Sequence, residues 1–335
     1  MKKILVLGGT GAMGVYLVPE LLRLGYRTDV VSLDEMTSDN PNLTYSKGNA
    51  RDDEFLKDIL KNNYDAIVDF MIYDDTEKFK LRRDMILDST EHYLFLSSYR
   101  VYAEDKYITE ESPRLLEVSD DREFLKTNDY SLYKARGEDI LRAAKSKNYS
   151  ILRPAITYSK RRFQLVTLEA YAFLPRIRQG KTVVLPEEAM DIQATMSWAG
   201  DVAKLIAALI LNKKAYGETY TVSTAEHNSW RTVAEYYREL KGMKYITVPK
   251  KDYLKITGAD LPGKKCFEYQ LLYDRMLNRR IDNSKILDVT GYKQTDFISL
   301  KDGLARELSG LPEVLPWDGR DDLNKRMDDY LINFR

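Results

Sequence analysis

The chain has 335 residues, enough for one large domain or two smaller ones with a sizeable hydrophobic core. Its 52 Lys and Arg residues balance its 52 Asp and Glu residues, so it lacks the net basic charge that a dedicated nucleic-acid-binding protein needs. A single cysteine, Cys266, excludes an intrachain disulfide and a cysteine metal cluster, and only two histidines, His92 and His227, argue against zinc.

The amino-terminal residues do not predict a signal peptide. Met1-Lys2-Lys3 precede only four apolar residues, too few for the apolar region of a signal peptide, and no long apolar run follows. We therefore expect a cytoplasmic protein of a reducing compartment, without a membrane span.

The first predicted elements are a strand, a glycine-rich turn and a helix. Residues 4–7 are apolar without alternation, which predicts a buried strand of a parallel sheet. Gly8, Gly11 and Gly14 follow, and a helical pattern covers residues 12–24. Glycine lets the backbone approach a pyrophosphate closely, and the helix N-terminus offers unpaired N–H groups and a positive dipole end. This context predicts a dinucleotide site rather than a plain tight turn.

A carboxylate follows the second predicted strand, which covers residues 27–33. Asp34 stands at or near the end of that strand. In a dinucleotide-binding fold, a carboxylate there accepts hydrogen bonds from the adenosine ribose and repels a 2′-phosphate. The alternative is a solvated loop acid, because Glu35 and Asp39 are close by.

Strands and helices then alternate along the chain. Further strands are predicted over residues 43–46, 65–71, 92–98, 150–154 and 217–222, and helices over residues 76–87, 130–147 and from Ser197 onward. This alternation predicts an α/β protein with a Rossmann-type, doubly wound parallel sheet. Right-handed crossovers place the carboxyl ends of all strands at one edge, where we expect ligands to bind.

The remaining segments predict a second domain. Residues 160–186 are irregular and basic, and the chain beyond Trp230 is amphipathic, charged and helical. We therefore predict a dinucleotide-binding domain of residues 1–159 and 195–224, and a smaller, mostly helical substrate-binding domain of residues 160–194 and 225–335.

Tyr130 and Lys134 are four residues apart and share one face of a predicted helix. A phenol is a poor acid or base at neutral pH, but an ammonium group within a few ångströms favours its phenolate form. Ser98, at the carboxyl end of a neighbouring strand, can hydrogen-bond the same substrate oxygen. Two surface helix residues are the alternative in a chain with 24 tyrosines, but the glycine-rich turn favours the catalytic interpretation.

With these motifs the sequence resembles the short-chain dehydrogenase/reductase superfamily, in its extended NAD-dependent epimerase/dehydratase branch. The matches run in family order over roughly the first two-thirds of the chain. They are Gly8-x-x-Gly11-x-x-Gly14, Ser97-Ser98-x-x-Val101-Tyr102, Tyr130-x-x-x-Lys134-x-x-x-Glu138, Leu152-Arg153-Pro154 and Gly200-Asp201-Val202-Ala203.

The resemblance implies a role for each matching residue. Tyr130 would be the general acid/base, Lys134 would bind the nicotinamide ribose and favour the phenolate, and Ser98 would orient the reacting hydroxyl or carbonyl. Hydride would pass between a substrate carbon and the nicotinamide while Tyr130 moves the proton. The implied cofactor-binding residues are Gly8, Thr10, Gly11, Met13, Gly14, Asp34, Asn49, Tyr130, Lys134 and Pro154.

Two departures from the family pattern concern the cofactor. Ser32 stands at the usual position of the ribose-binding acid, two residues before Asp34, and no nearby arginine provides a clamp for a 2′-phosphate. Asn49 stands where the family commonly has the aspartate that contacts adenine, although its carbonyl oxygen can still accept from the amino group. The sequence therefore favours NAD over NADP.

A third departure concerns the substrate. Ala194 falls about where sugar-nucleotide enzymes carry an arginine for the diphosphate. A nucleotide-sugar substrate would then need Arg161, Arg162 or Arg178 as a substitute.

The segment after the fifth strand also differs from the family. Ser97-Ser98-Tyr99 lacks the Thr-Asp-Glu of the sugar 4,6-dehydratases, which argues against dehydration. Tyr99 and Arg100 stand where the family usually has small residues, and both are candidate substrate-binding residues. We predict that Arg100 points into the cleft and pairs with an anionic substrate group, a surface position being the alternative.

Two further features have structural interpretations. His227 is predicted to make an ordinary loop hydrogen bond. The arginines at positions 231, 275, 279 and 280 are predicted to form a solvated helix face rather than a phosphate site.

Three functions fit the sequence. The leading one is an NAD-dependent epimerase of a sugar or nucleotide sugar, or a closely related oxidoreductase. The first rival is an NAD(P)-dependent carbonyl reductase of a non-sugar metabolite, which the missing diphosphate arginine favours. The second is a non-catalytic RNA-binding or redox-sensing relative, against which the balanced charge and the presence of Tyr130 and Lys134 argue.

A homodimer is the family expectation, formed by the helix of Tyr130 and the helix over residues 76–87. The apolar residues Leu132, Tyr133, Ile140 and Leu141 are compatible with such an interface, but they can equally pack on the sheet.

Overall fold

The computed structural model describes residues 1–315 and 322–333. Its strands are β1 (Lys3–Leu7), β2 (Arg27–Ser32), β3 (Leu43–Lys47), β4 (Tyr64–Asp69), β5 (Thr90–Leu96), β6 (Asp105–Ile108), β7 (Tyr149–Pro154), β8 (Ile156–Tyr158), β9 (Gln164–Leu165), β10 (Leu168–Glu169), β11 (Thr182–Pro186), β12 (Gln193–Trp198), β13 (Thr219–Val222), β14 (His227–Ser229), β15 (Lys244–Val248) and β16 (Arg279–Ile281). Its α-helices are α1 (Gly14–Arg23), α2 (Asp53–Leu60), α3 (Thr76–Asp88), α4 (Leu115–Val118), α5 (Arg122–Leu125), α6 (Tyr130–Arg142), α7 (Ala170–Arg178), α8 (Ala199–Leu209), α9 (Trp230–Lys241), α10 (Lys250–Thr257), α11 (Lys265–Gln270), α12 (Ser284–Thr290), α13 (Leu300–Ser309) and α14 (Asp322–Asn333). A π-helical turn, Leu271–Arg275, follows α11 directly.

A seven-stranded sheet forms the centre of the fold, in the order β13-β7-β5-β4-β1-β2-β3. All of its neighbouring strands are parallel. The strand order reverses between β1 and β4, which is the switch point where doubly wound sheets bind ligands. The predicted Rossmann-type α/β fold is therefore confirmed.

Side chains of β1 alternate between the two faces of this sheet. Ile4 and Val6 join one buried apolar cluster with residues of α1 and α8, whereas Leu5 and Leu7 join a second cluster with residues of α2 and α3. A strand covered on both faces must be apolar throughout, which explains the unbroken apolar run in the sequence.

The carboxy-terminal region contains more β-structure than predicted. It includes the parallel pair β11-β15 and the antiparallel pair β12-β14, and β16 pairs with β6. Residues 160–186, predicted to be irregular, contain α7 as well as three short strands. These strands have two to five residues, too few for hydrophobic periodicity to reveal them. The proposed domain boundary at residue 335 lies outside the described residues.

Apolar side chains of the helix expected at a dimer interface are largely buried within the protomer itself. Leu132, Tyr133 and Leu141 of α6 are buried in this single chain. They are thus used for packing on the protomer's own core, and the homodimer stays a prediction. Helix α6 ends at Arg142, earlier than the predicted Lys147.

The described residues, 1–315 and 322–333, form neither a membrane-spanning helix nor a metal cluster. No helix there is both long and apolar enough to cross a membrane. No cluster of three or more His, Cys, Asp or Glu side chains there is arranged to hold a metal ion.

Candidate active site

The glycine-rich turn joins β1 to α1 at the carboxyl edge of the sheet. Gly8 has a φ of +77°, which favours glycine, and its N–H donates to Val31 O at 2.9 Å. The N–H of Gly11 then donates to Gly8 O at 3.1 Å. A Cβ on Gly11 would meet only Gly8 O, at 3.3 Å. The outer side of the turn is therefore open, and a ligand can approach the backbone closely there.

Gly14 closes this turn against Gly9. A Cβ on Gly14 would lie 2.2 Å from Gly9 O and 2.5 Å from Gly9 Cα, and backbone atoms at such distances must move apart. The start of α1 can therefore approach the turn only with glycine at this position. The residues present fit a dinucleotide pyrophosphate, which binds N–H groups of such a turn and the helix N-terminus.

We expect Gly14→Ala to weaken NAD binding about 5- to 150-fold, because overpacking costs of order 1–3 kcal/mol and displaces the turn. Calorimetric titration of nucleotide-free protein with NAD measures the change. Gly310→Ala is the matched control, since its nearest atom to a new Cβ is 3.8 Å away. Equal NAD affinity of the two variants would contradict this account of the turn.

At the end of the site expected to bind the adenosine ribose, a serine occupies the position where the family resemblance predicts an acid. Ser32 ends β2, and its hydroxyl lies 2.6 Å from the hydroxyl of Thr10 and accepts from Asp34 N at 3.1 Å. Asp34 lies two residues beyond β2 and is exposed. Asn49 is also exposed, and its Oδ1 accepts from Arg51 N at 3.0 Å. One lone pair of the Asn49 carbonyl is thus already used in a local turn.

Lys134 lies buried between the carboxyl ends of β4 and β5. Its Nζ donates to Leu96 O at 2.5 Å and to Met71 O at 3.3 Å. Burial lowers the pKa of its ammonium group, whereas Tyr130, Asp69 and Glu138 favour the charged form. Among the described residues, no carboxylate pairs with it directly, and its two hydrogen bonds go to carbonyl oxygens.

Tyr130 starts α6, whose N-terminus Asp129 caps by accepting from Ser131 N at 2.9 Å. The Lys134 ammonium lies 5.8 Å from the centre of the Tyr130 ring. Helical spacing thus brings the two side chains together, as the sequence predicted. Among the described residues, the Tyr130 hydroxyl has no hydrogen-bond partner, so it remains available to a ligand.

A cavity of about 500 Å³ opens in front of these residues. Its lining includes Ser98, Tyr130 and Lys134 together with Pro154 and Met13. Ser98 is buried, and its hydroxyl accepts only from Arg100 N, at 3.2 Å. The structure therefore brings the three predicted catalytic residues and two predicted cofactor residues to one cavity.

Glu138, one helical turn beyond Lys134, supports the site from behind. Its fully buried carboxylate accepts from Arg153 at 2.6 and 2.8 Å, from Arg114 at 3.1 Å and from the Ser97 hydroxyl at 2.5 Å. Burial opposes its ionisation, but the charges of Arg153 and Arg142 and the hydrogen bonds from Arg153 and Ser97 together outweigh burial, so the pKa of the Glu138 carboxyl lies below its ordinary value. These contacts fix α6 against the ends of β5 and β7.

Arg100 lies in the cavity wall, with its guanidinium carbon 5.0 Å from the centre of the Tyr130 ring. Its Nε lies 3.1 Å from an oxygen of Asp274, in the π-helical turn. The predicted substrate residue Tyr99 also lines the cavity, and its hydroxyl donates to Asp274 at 2.8 Å. Asp274 could not be identified from the sequence, because it lies far along the chain in a segment without a family motif.

The predicted solvated arginine face is wrong for two of its four members. Arg275 and Arg279 are each 2% exposed and both donate to Asp274. Arg231 does lie on the surface, paired with Asp191 and Glu187. Helical spacing could not separate these cases. Asp274 is close to both arginines in the chain, but only the fold shows that all three side chains are buried against Tyr99.

The three candidate substitutes for the missing diphosphate arginine occupy different places. Arg162 lines the cavity, 3.4 Å from Glu169. Arg161 is exposed and does not line it, and Arg178 donates to main-chain carbonyls of Pro312 and Glu313 elsewhere. Ala194 itself is fully buried. Only Arg162 is placed to contact a cavity ligand.

Other cavity residues were missed by the sequence interpretation. They are polar or reactive side chains without a recognisable motif: Asn128, Thr157, Gln164, Glu169, Cys266 and Gln270. Both histidines have structural contacts. His227 Nε2 lies 3.1 Å from Ile281 O, as predicted, and burial lowers the pKa of His92 to about 3.

Comparison with known proteins supports the family resemblance. Residues 4–88 match the NAD dependent epimerase/dehydratase family. A sequence comparison with curated proteins found no significant match. Over the segment that contains the glycine-rich turn, the chain is thus similar to that family.

Solved structures share the fold over most of the chain. An epimerase from Methanothermobacter thermautotrophicus has a TM-score of 0.68 at 16% identity, covering 92% of each chain. The dTDP-glucose 4,6-dehydratase of Bacillus anthracis, crystallised with NAD, has a TM-score of 0.68 at 17% identity, covering 92% of this chain and 96% of its own. The UDP-glucuronic acid 4-epimerase of Bacillus cereus, crystallised with UDP-glucuronic acid and NAD, has a TM-score of 0.67 at 16% identity, covering 92% and 98%. At these identities the likeness establishes the fold.

Proposed function

We propose that this protein is an NAD-dependent epimerase of a sugar or nucleotide sugar, or a closely related oxidoreductase. The observation that carries the proposal is the meeting of Ser98, Tyr130 and Lys134 at one cavity on the carboxyl edge of the sheet. The family match over residues 4–88 and the NAD in the similar crystal structures support the cofactor assignment.

Different residues of the chain would bind the cofactor and transfer the proton. The glycine-rich turn would hold the pyrophosphate, and Lys134 would bind the nicotinamide ribose from its buried position. When bound, NAD supplies the acceptor for a hydride from a substrate carbon. Tyr130 would take the proton of the substrate hydroxyl, and Ser98 would hold the same oxygen by a hydrogen bond.

The return step decides between the two reaction types. In epimerisation, the ketone would turn within the cavity so that its other face is reduced, and Tyr130 would give its proton back to the oxygen. In net oxidation, the ketone leaves and the proton on Tyr130 passes to solvent. A cavity of about 500 Å³ has the size of an ordinary small-molecule site.

Identification of the nucleotide that copurifies with the protein is the first test. We expect NAD on release by denaturation and chromatography. Sugar nucleotides and carbonyl compounds are then screened by nicotinamide absorbance and by product NMR, because an epimerase returns its cofactor unchanged and escapes an absorbance assay. Absence of any nucleotide binding by the purified protein would remove the proposal.

A carbonyl reductase of a non-sugar metabolite is the second candidate. Ala194 is buried in β12, and Arg162 alone of the three alternative arginines reaches the cavity. The substrate's diphosphate would therefore meet fewer cations than usual. Turnover of simple ketones with NADH, without turnover of sugar nucleotides, would favour this function.

A further inference from the structure

The charges around the cavity are unbalanced although the whole chain is neutral. Four cationic side chains line it, those of Arg100, Lys134, Arg162 and Arg275, against the carboxylates of Asp129 and Glu169. Arg162 and Glu169 pair with each other at 3.4 Å. If Lys134 is assigned to the cofactor ribose, the three arginines of the cavity lining still outnumber its two carboxylates.

Asp274 is shared among three arginines behind this wall. Its fully buried carboxylate contacts Arg100, Arg275 and Arg279, and it also accepts from the hydroxyl of Tyr99. Burial opposes its ionisation, but the charges of the three arginines outweigh burial, so the pKa of the Asp274 carboxyl lies below its ordinary value. One negative charge thus serves three positive ones.

Arg100 is the least satisfied of the three arginines. Its side chain is 14% exposed, and Asp129 is its second acidic neighbour, at 3.8 Å. Asp129 is already used as the cap of α6. The buried Nε of Arg100 lies 3.1 Å from Asp274 as an ion pair, but the Arg100 guanidinium makes no hydrogen bond to the described residues. Three guanidinium groups therefore face two carboxylates, which leaves one positive charge that is costly to bury without an anion.

We propose that Arg100 binds a carboxylate carried by the reacting sugar or other reacting moiety of the substrate. This inference rests on the proposed function. The guanidinium lies 5.0 Å from the Tyr130 ring, so a group held there is next to the carbon whose oxygen Tyr130 protonates, not at a distant diphosphate. A planar guanidinium with free N–H groups matches a carboxylate in two hydrogen bonds. Asp274 orients Arg100 toward the cavity without neutralising it.

Calorimetry of the NAD-loaded protein with two matched pairs tests the proposal. The pairs are UDP-glucuronic acid against UDP-glucose, and glucuronate against glucose. We expect the acidic member of at least one pair to bind about tenfold more tightly or better, as a hydrogen bond between charged groups provides. In Arg100→Met this preference should fall to about twofold or less, whereas Arg100→Lys should retain part of it.

Arg231→Met is the matched control, because Arg231 also pairs with two carboxylates but lies outside the cavity. It should keep the full preference for the acidic ligand. Three results overturn the proposal: no acidic compound binds, the two members of each pair bind equally, or the preference survives in Arg100→Met. If Arg100→Met weakened the binding of both UDP sugars to the same extent, Arg100 would be assigned to the diphosphate. That result would also overturn the proposal. Since NAD content is measured first, these outcomes are distinct from failure of the proposed function.

Discussion

Replacing Tyr130 by phenylalanine is expected to lower turnover about 10²- to 10⁴-fold, the range that a positioned general acid/base contributes. The ring remains, and with it the contacts to Arg100 and Lys134, which lie 5.0 and 5.8 Å from its centre. Only the hydroxyl that moves the proton is lost. Turnover is measured by product NMR on the substrate found in the screen.

Tyr133→Phe is the control for this variant. Tyr133 lies on the same helix, its ring packs edge-on against that of Tyr130 at 5.3 Å, and it is outside the cavity lining. Its loss of a hydroxyl should therefore leave turnover nearly unchanged. NAD content should be the same in both variants, because neither change touches the glycine-rich turn. Full activity of Tyr130→Phe would remove the residue from the mechanism.

The centre of the sheet could be predicted from the sequence because strands such as β1, β4 and β5 contain apolar runs. β1 is buried on both faces, so no other element explains residues 4–7 followed at once by three glycines. The pairing of Tyr130 with Lys134 was equally local, since helix geometry alone brings residues four apart together. Predictions of this kind depend on neighbours in the chain and therefore succeeded.

The carboxy-terminal side of the cavity could not be predicted in the same way. Asp274 and Arg275 meet Tyr99 and Arg100 from about 175 positions away, and only the folded chain shows that these residues touch. The π-helical turn that presents them has no sequence signature. A run of arginines therefore looked like a solvated face, whereas a single buried carboxylate holds two of them inside.

The largest stability effect is expected at Glu138. Glu138→Gln should lower the free energy of unfolding by about 3–5 kcal/mol, because it leaves the buried arginine partners without their counter-charge. Arg153 is 1% exposed and donates two hydrogen bonds to this carboxylate. Equilibrium urea unfolding at neutral pH measures the loss. Asp139→Asn, the next residue on α6, is the control: its side chain is 48% exposed, and its pair with Arg114 should contribute about 1 kcal/mol or less.

The pH dependence separates the charge of Glu138 from its shape. The pKa of this carboxyl is lower in the folded protein than in the unfolded chain, because Arg153, Ser97 and Arg142 together outweigh the effect of burial. Its stabilising contribution is therefore fully present above the unfolded value of about 4.3 and is lost as the pH falls through the lower, folded value. The stability difference between the wild-type protein and Glu138→Gln should accordingly shrink in acid. A difference that is constant from pH 7 to below pH 4 would mean that packing, not charge, holds α6 against the strands. Tyr130 and Lys134 project from that helix, so the same ion pair that stabilises the fold also fixes the position of the proposed proton donor.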